Sequence, residues 1–382
     1  MSFGSIFRFP TTMYTHPSHR ARNLTCLMFV GFTALLTSAA LFVEYSSTDT
    51  EHTLCATVLP DTTLTRATYA FNTTAPRAQT LDARTLISAV AAGQQVSARF
   101  IHQSWKTHEL KPSAIPLADS WRLAYPNWDY ILWDDADNRE LVRVLYPRLL
   151  EPYDALPREI YRADFVRNLY MHAFGGIYAD LDSEAVAPLD SLLSTSAERL
   201  SDSASTPVAF VGQMATSDNP AHAVPNAFFA ATSPGHPFWF IPVEFAVAWV
   251  SDWTAHRTEG EEPVDPEFVT GPVALRYSLF VYADPVNWPA SHGSHVVQVT
   301  NSAPLPPLSD LSARVAPNAT APPVALLPPD IIYPYSWDTS RPRIGNAATK
   351  CVCWMNWRTY DRERCKSRVG ARWVVNYWSH GW

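Results

Sequence analysis

The chain has 382 residues, 47% of them hydrophobic, which is enough for a sizeable core in one or two domains. A formal net charge of −7, with no basic tract, argues against a nucleic-acid partner. The 32 prolines point to many ordered loops rather than a helical bundle.

Along the chain, the first feature is Leu24 to Val43, an uncharged apolar run of 20 residues. As a helix it is long enough to cross roughly 30 Å of hydrocarbon. Arg8, Arg20 and Arg22 precede it, and Glu44, Asp49 and Glu51 follow. The positive-inside rule therefore puts residues 1–23 in the cytosol and the rest across the membrane. The run is longer, and begins later, than the apolar core of a cleaved signal peptide, so it reads as an uncleaved signal anchor. Residues 44–95, rich in Thr, Ala and Ser with little periodicity, read as a stem before a luminal domain spanning 96–382. In an oxidising lumen Cys55, Cys351, Cys353 and Cys365 are expected in disulfides rather than around zinc. Cys351-Val-Cys353 followed by Cys365 suggests a stapled C-terminal loop, with the connectivity open. Asn72-Thr-Thr and Asn318-Ala-Thr are usable luminal glycosylation acceptors.

Order is expected to begin at Val96, in an apolar strand ending in polar residues. A helix follows over Leu117 to Ala124, then a strand from Asp129 to Trp133. Asp134, Asp135 and Asp137 cap a helix over Asn138 to Leu150. Ala163, Val166, Tyr170 and Ala173 mark one face of the next helix, which Gly175-Gly176 ends. Ile177 opens another strand, and the alternation predicts an α/β sandwich with a largely parallel sheet. Beyond Asp190, strands are expected at Pro207 to Met214 and Asn226 to Ala231, and helices from Phe238 to about Asp252 and from Thr270 through Val281. Residues 283–330 read as Pro-rich connection.

The chemistry concentrates at Asp180-Leu-Asp182, where the strand opened by Ile177 ends. Residues two apart on a strand point the same way, so both carboxylates face one side. Paired hard oxygen ligands suit Mg²⁺ or Mn²⁺, with substrate phosphates completing the shell. In such sheets ligands bind beyond the carboxyl ends of the strands. The bland alternative is two solvated loop carboxylates. An EF-hand starting at Asp180 fails, because its sixth position is Ala185 and its twelfth Ser191. Arg162-Ala-Asp164, with Arg167 a turn on, offers a donor fork for phosphate and an acceptor for sugar hydroxyls, or else a helix-surface ion pair. His102 and Trp105 either flank a nucleotide base or pack in the core.

Ile101-His-Gln-Ser-Trp-Lys-Thr, Pro126-Asn-Trp-Asp-Tyr-Ile-Leu-Trp-Asp-Asp, Arg162-Ala-Asp and Gly175-Gly-Ile-Tyr-Ala-Asp-Leu-Asp together resemble glycosyltransferase family 32. That family contains the fungal initiating α-1,6-mannosyltransferase and mannosyltransferases acting on inositol phosphorylceramide. The likeness is dense from about 96 to 195 and scattered through Ser233-Pro-Gly-His-Pro-Phe, Thr270-Gly-Pro and Tyr377-Trp-Ser-His-Gly-Trp. It implies a GT-A-type, Rossmann-like fold, a Mn²⁺-dependent nucleotide-sugar donor, and transfer with retention. By position, Asp180 and Asp182 hold the metal and diphosphate. Arg162 and Asp164 contact the donor, together with Gly175 and Gly176, while His102, Gln103 and Trp105 line the nucleotide pocket. Asn376 and His380 are the candidates for a further metal ligand.

The sequence is thus expected to encode a single-pass Golgi enzyme moving a hexose, mannose from GDP-mannose, onto a glycan or glycolipid. The alternatives are an α-galactosyl- or N-acetylglucosaminyltransferase using a UDP-sugar, and a catalytically silent luminal carbohydrate-binding protein. A hydrolase needs two carboxylates across a cleft, roughly 5–9.5 Å apart, and fits the adjacent pair less well.

Overall fold

The computed structural model describes residues 55, 75–201, 203, 205–214, 222–285, 308, 311, 313–336 and 344–379. The chain divides into two compact units, Met1–Thr62 and Thr63–Trp382. Apart from Cys55, the described residues belong to the second. The expected span at Leu24–Val43, the stem glycosylation site at Asn72 and the candidate ligand His380 lie outside the described residues. Among the described residues no helix is long and apolar enough to cross a membrane.

The folded domain starts before residue 96. Strand β1 (Gln79–Thr80) joins the sheet beside β3 (Asp129–Trp133), and helix α1 (Ala83–Ala91) follows. Asp82 caps α1 by accepting from the Thr85 amide, and Ala83, Leu86 and Ile87 form its buried stripe. The Thr/Ala-rich composition that reads as a stem hides this short amphipathic helix.

In order come β2 (Phe100–Ser104), α2 (Ile115–Ala124), β3, α3 (Asp135–Leu145), α4 (Leu150–Ala155), α5 (Glu159–Ala173), β4 (Gly176–Ala179), β5 (Ser183–Ala185) and α6 (Asp190–Leu200). Then follow β6 (Ala209–Gly212), β7 (Phe228–Ala231), α7 (Phe240–His256), α8 (Pro266–Val269), α9 (Pro272–Ala283), β8 (Arg314–Val315), β9 (Val324–Leu327) and α10 (Pro329–Ile332). Helices α11 (Ile344–Cys353) and α12 (Arg362–Val369) and strand β10 (Val374–Asn376) complete the described elements.

The main sheet has eight strands in the order β1-β3-β2-β4-β7-β6-β9-β8. The α/β sandwich is as expected, but the sheet is mixed rather than largely parallel. Strands β1 to β4 run parallel, whereas β7 is antiparallel to both β4 and β6. Antiparallel neighbours need no helical crossover, so the regular alternation that marks the first half of the sequence stops at this point. Successive residues feed opposite faces: Tyr178 and Phe229 pack in one apolar cluster, Ile177 and Phe228 in the other.

All four cysteines outside the apolar run are disulfide-bonded, as expected of them. Cys353 pairs with Cys365, which ties the end of α11 to α12. The staple closes the connecting loop between these two helices, as the spacing suggested.

Candidate active site

The site grows from the turn that ends α5. Gly175 and Gly176 have φ of 67° and 89°, a region that side chains rarely adopt. A Cβ on Gly176 would lie 2.4 Å from the Phe100 carbonyl oxygen, so glycine lets β4 lie against β2. Strand β4 then runs parallel to β2, pairing Ile177 with Ile101 and Tyr178 with His102. Both strands deliver their carboxyl ends to one edge of the sheet, where Asp180 and Trp105 emerge.

The strand ends at Ala179, and Asp180-Leu181-Asp182 is a turn rather than strand. The pleat therefore does not align the two carboxylates. The turn does: Ser183 donates its amide to the Asp180 carbonyl at 3.1 Å, and Gln103 Nε2 donates to the same oxygen at 3.2 Å. Both aspartates line one cavity of about 280 Å³, shared with Asp164, Arg167, Asn226 and Asn376.

Arg167 organises that cavity. Its side chain is 2% exposed, yet it meets Asp180 Oδ1 at 3.3 Å and Asp164 Oδ1 at 2.9 Å and donates to the Asn226 carbonyl at 2.7 Å. Its guanidinium also lies 4.8 Å over the Tyr178 ring, and the Tyr178 hydroxyl donates to Asp180 Oδ1. Buried charges persist only when paired in this way. Asp164 further accepts from Asn226 Nδ2 at 2.9 Å. Burial pushes the Asp164 carboxyl up to about 6, Arg167 working against that shift and Asp180 with it.

Asp182 is built differently. Its Oδ2 accepts the Ser379 amide at 2.6 Å, while its buried Oδ1 has no hydrogen-bond partner. Burial, with the Asp180 charge adding to it, pushes this carboxyl up to about 6. An orphaned carboxylate oxygen beside a second carboxylate and the Asn376 amide suits a hard divalent cation, so Asp182, Asp180 and Asn376 are the residues that fit one. Asp182 also borders a second cavity of about 310 Å³, with Trp105, Lys111, Ser113, Asn356 and Ser379. Lys111 Nζ lies 5.0 Å from the Trp105 ring centroid.

Other residues expected at the site fall elsewhere. His102 is a core histidine: the Gly175 carbonyl takes its Nε2–H at 3.0 Å, and its Nδ1 accepts from Trp133 Nε1 at 3.1 Å. A carbonyl only accepts and an indole only donates, which fixes the neutral tautomer. Burial holds its pKa down at about 3. Gln103, also buried, supports the turn from below rather than lining a pocket. Gly175 and Gly176 stand at the opposite end of β4 from Asp180, roughly 13 Å away at ~3.3 Å per residue, and serve the turn instead of a donor. Arg162 meets Glu159 and the Leu156 carbonyl, 2.6 Å away, at the start of α5, and does not line either cavity.

The sequence held the signal for choosing Arg167. On a helix, residues two apart sit about 200° apart and residues three apart about 60°, so Asp164 shares a face with Arg167 and not with Arg162. Asn226, Lys111 and the Ser379 amide carried no such signal.

His108, Asp134 and Asp137 gather ligand-type atoms within 4.8 Å at the start of α3. These groups are already engaged: Asp134 Oδ1 caps α3 through the Asp137 amide at 2.8 Å, and Asp137 takes Arg84 Nε at 3.1 Å and His108 Nε2 at 2.9 Å. The cluster reads as an ion-pair network that closes the helix.

Residues 105–198 match the family described as glycosyltransferase sugar-binding region containing DXD motif, the segment that carries Trp105, Asp164, Arg167, Asp180 and Asp182. Over that segment the chain is similar to DXD-containing glycosyltransferases, in keeping with the resemblance to glycosyltransferase family 32. Inositol phosphoceramide mannosyltransferase 3 of Schizosaccharomyces pombe is 40% identical over 95 residues, 25% of this chain and 27% of that protein. A mannosyl phosphorylinositol ceramide synthase of Saccharomyces cerevisiae is 31% identical over 99 residues, 26% of each chain. The initiation-specific alpha-1,6-mannosyltransferase of Candida albicans is 28% identical over 103 residues, 25% of this chain and 27% of that one. The chain spans about a quarter of the length of the curated relatives it matches. Among solved structures, PaToxG glycosyltransferase aligns with a TM-score of 0.32 at 18% identity, covering 57% of this chain and 80% of that one, a likeness from which nothing follows.

Proposed function

We propose that this protein is a divalent-metal-dependent, retaining hexosyltransferase of GT-A type. It takes mannose from GDP-mannose to a glycan or glycolipid, in the Golgi lumen, with its N-terminal apolar run as a type II anchor. The observation that carries this is the meeting, at Asp182, of two cavities of different chemistry. One offers an indole and an ammonium, suited to a base and its phosphates. The other offers carboxylates, an amide and a locked guanidinium, suited to sugar hydroxyls. A nucleotide sugar laid across Asp182 places its diphosphate where the two join. Their combined volume falls within the roughly 300–1,000 Å³ of small-molecule sites.

Mn²⁺ or Mg²⁺ held by Asp182, Asp180 and Asn376 would supply charge stabilisation for the departing diphosphate. Arg167 keeps its charge because Asp180, Tyr178 and Asp164 outweigh the cost of burial, and it holds Asp180 and Asp164 in place. Asp164 and Asn226, already bonded to each other, present fixed acceptors and donors to the glycosyl unit. In a front-face transfer the departing phosphate oxygen takes the acceptor proton, so no cavity carboxylate has to act as base.

The test uses the purified full chain with GDP-mannose, UDP-galactose, UDP-glucose and UDP-N-acetylglucosamine, with and without Mn²⁺, and measures released nucleotide. Inositol phosphoceramide and a high-mannose glycan serve as acceptors, since the names of the relatives favour the former. Metal-dependent release from GDP-mannose supports the proposal. Release from a UDP-sugar instead moves the donor assignment, and no release with any donor or acceptor returns the protein to the silent binding class.

A further inference from the structure

Glu184 lies two residues past Asp182, on β5, and its side chain is buried among charged and polar partners from the C-terminal segment. Lys366 Nζ meets its Oε1 at 2.9 Å, Arg362 Nε lies 3.3 Å from its Oε2, and the Tyr377 hydroxyl donates to the same oxygen. Lys366 and Arg362 belong to α12, which the Cys353–Cys365 disulfide ties to α11. Tyr377 follows β10, which pairs antiparallel with β5: Val375 opposite Glu184 and Asn376 opposite Ser183. The far end of this segment returns to the metal-binding turn. The Tyr377 amide donates to the Asp182 carbonyl at 2.8 Å, and the Ser379 amide to Asp182 Oδ2 at 2.6 Å. Between them Trp378 adopts φ 48° and stacks on Tyr333 at 5.5 Å, while its amide donates to Asn376 Oδ1 at 2.9 Å.

We infer that Glu184 is a positioning residue that latches the C-terminal segment onto the Asp180–Asp182 turn, and so sets the placement of Asp182 and Asn376. A three-residue, two-stranded pair is weak by itself. A buried carboxylate with two cations and a phenol adds a fixed anchor at its centre, and removing one partner of such a group leaves the others uncompensated. The Ser379 contact selects which Asp182 oxygen stays open. A loosened segment frees both oxygens and detaches Asn376 from the cavity, so divalent-ion affinity falls even though no ligand has been changed. That consequence for the metal rests on the proposed function; the latch itself does not.

Two measurements separate them. Hydrogen exchange on the full chain compares wild type, Glu184→Gln and the milder Tyr377→Phe. The latch predicts exchange about tenfold or more faster at the Val375, Tyr377 and Ser379 amides in Glu184→Gln, a smaller change in Tyr377→Phe, and unchanged protection in β2 and β4. Unchanged exchange at these amides in both variants overturns the latch, as does acceleration that the central strands share equally. Calorimetry with Mn²⁺ alone then reads the consequence: weaker binding in Glu184→Gln than in wild type supports it, and equal binding by both contradicts the positioning role. A wild type that binds no Mn²⁺ contradicts the metal reading while leaving the exchange result to decide the latch.

Discussion

The two cavities that share Asp182 are built on opposite principles. In the first, Asp164, Arg167 and Asp180 satisfy one another before any ligand arrives, at the cost of burying three charges. In the second, a half-buried indole that packs against the core faces an exposed lysine at the sheet edge. Preorganised charge suits the end of a substrate where bonds change, because groups that need not reorganise stabilise developing charge best. A flat aromatic face suits the end that is only held. The difference predicts that damage to the first cavity lowers turnover, and damage to the second weakens binding.

Asp182→Asn gives the largest effect, a fall in metal-dependent turnover of ~10³-fold or more in a steady-state assay. The same variant should melt higher than wild type near neutral pH. A carboxyl whose folded pKa is raised contributes stability that is present below the unfolded value and lost as pH rises through about 6, so removing its charge removes that loss. The gain in melting temperature should therefore shrink toward pH ~4, where the wild-type carboxyl is also neutral. For the same reason Mn²⁺ affinity of the wild type, followed by calorimetry, should fall about tenfold per unit as pH drops below about 6.

Arg167→Lys comes next. An ammonium cannot bridge Asp164, Asp180 and the Asn226 carbonyl together, so kcat should fall ~10²-fold with little change in donor KM. A matching rise in KM would blur the contrast between the cavities. Trp105→Ala should act in the reverse sense, raising donor KM ~5–100-fold, as loss of base stacking does, with kcat nearly kept. Arg162→Ala is the smallest. Its exposed pair with Glu159 at the start of α5 is worth about 0–1 kcal/mol, and activity should stay within about twofold of wild type. A collapse of turnover there would restore Arg162 to the donor site.

The parts legible in the sequence were those with local signals. Strand β4, its glycine turn, the helix before it and the Asp180–Asp182 pair all lie within some twenty-five residues whose periodicity and punctuation agree. The Asp164–Arg167 face was legible too, to a reader who applied helical geometry instead of adjacency. Composition misled at residues 79–91, where Thr and Ala look like linker but Leu86 and Ile87 are buried. It misled again between 283 and 330, where prolines flank the buried strand β9. His102 was ambiguous because a polar residue on a strand looks the same whether it faces a ligand or a carbonyl such as that of Gly175. The C-terminal segment was least legible: β10, Ser379 and the Glu184 contacts reach back across roughly 180 residues or more, and no local pattern encodes a partner that distant.

The most direct test of the account is a titration of GDP into the full chain, with and without Mn²⁺, for wild type and Asp182→Asn. The account predicts GDP binding that requires Mn²⁺ in the wild type and is lost in the variant. Metal-independent binding, or equal Mn²⁺-dependent binding by both proteins, would contradict it.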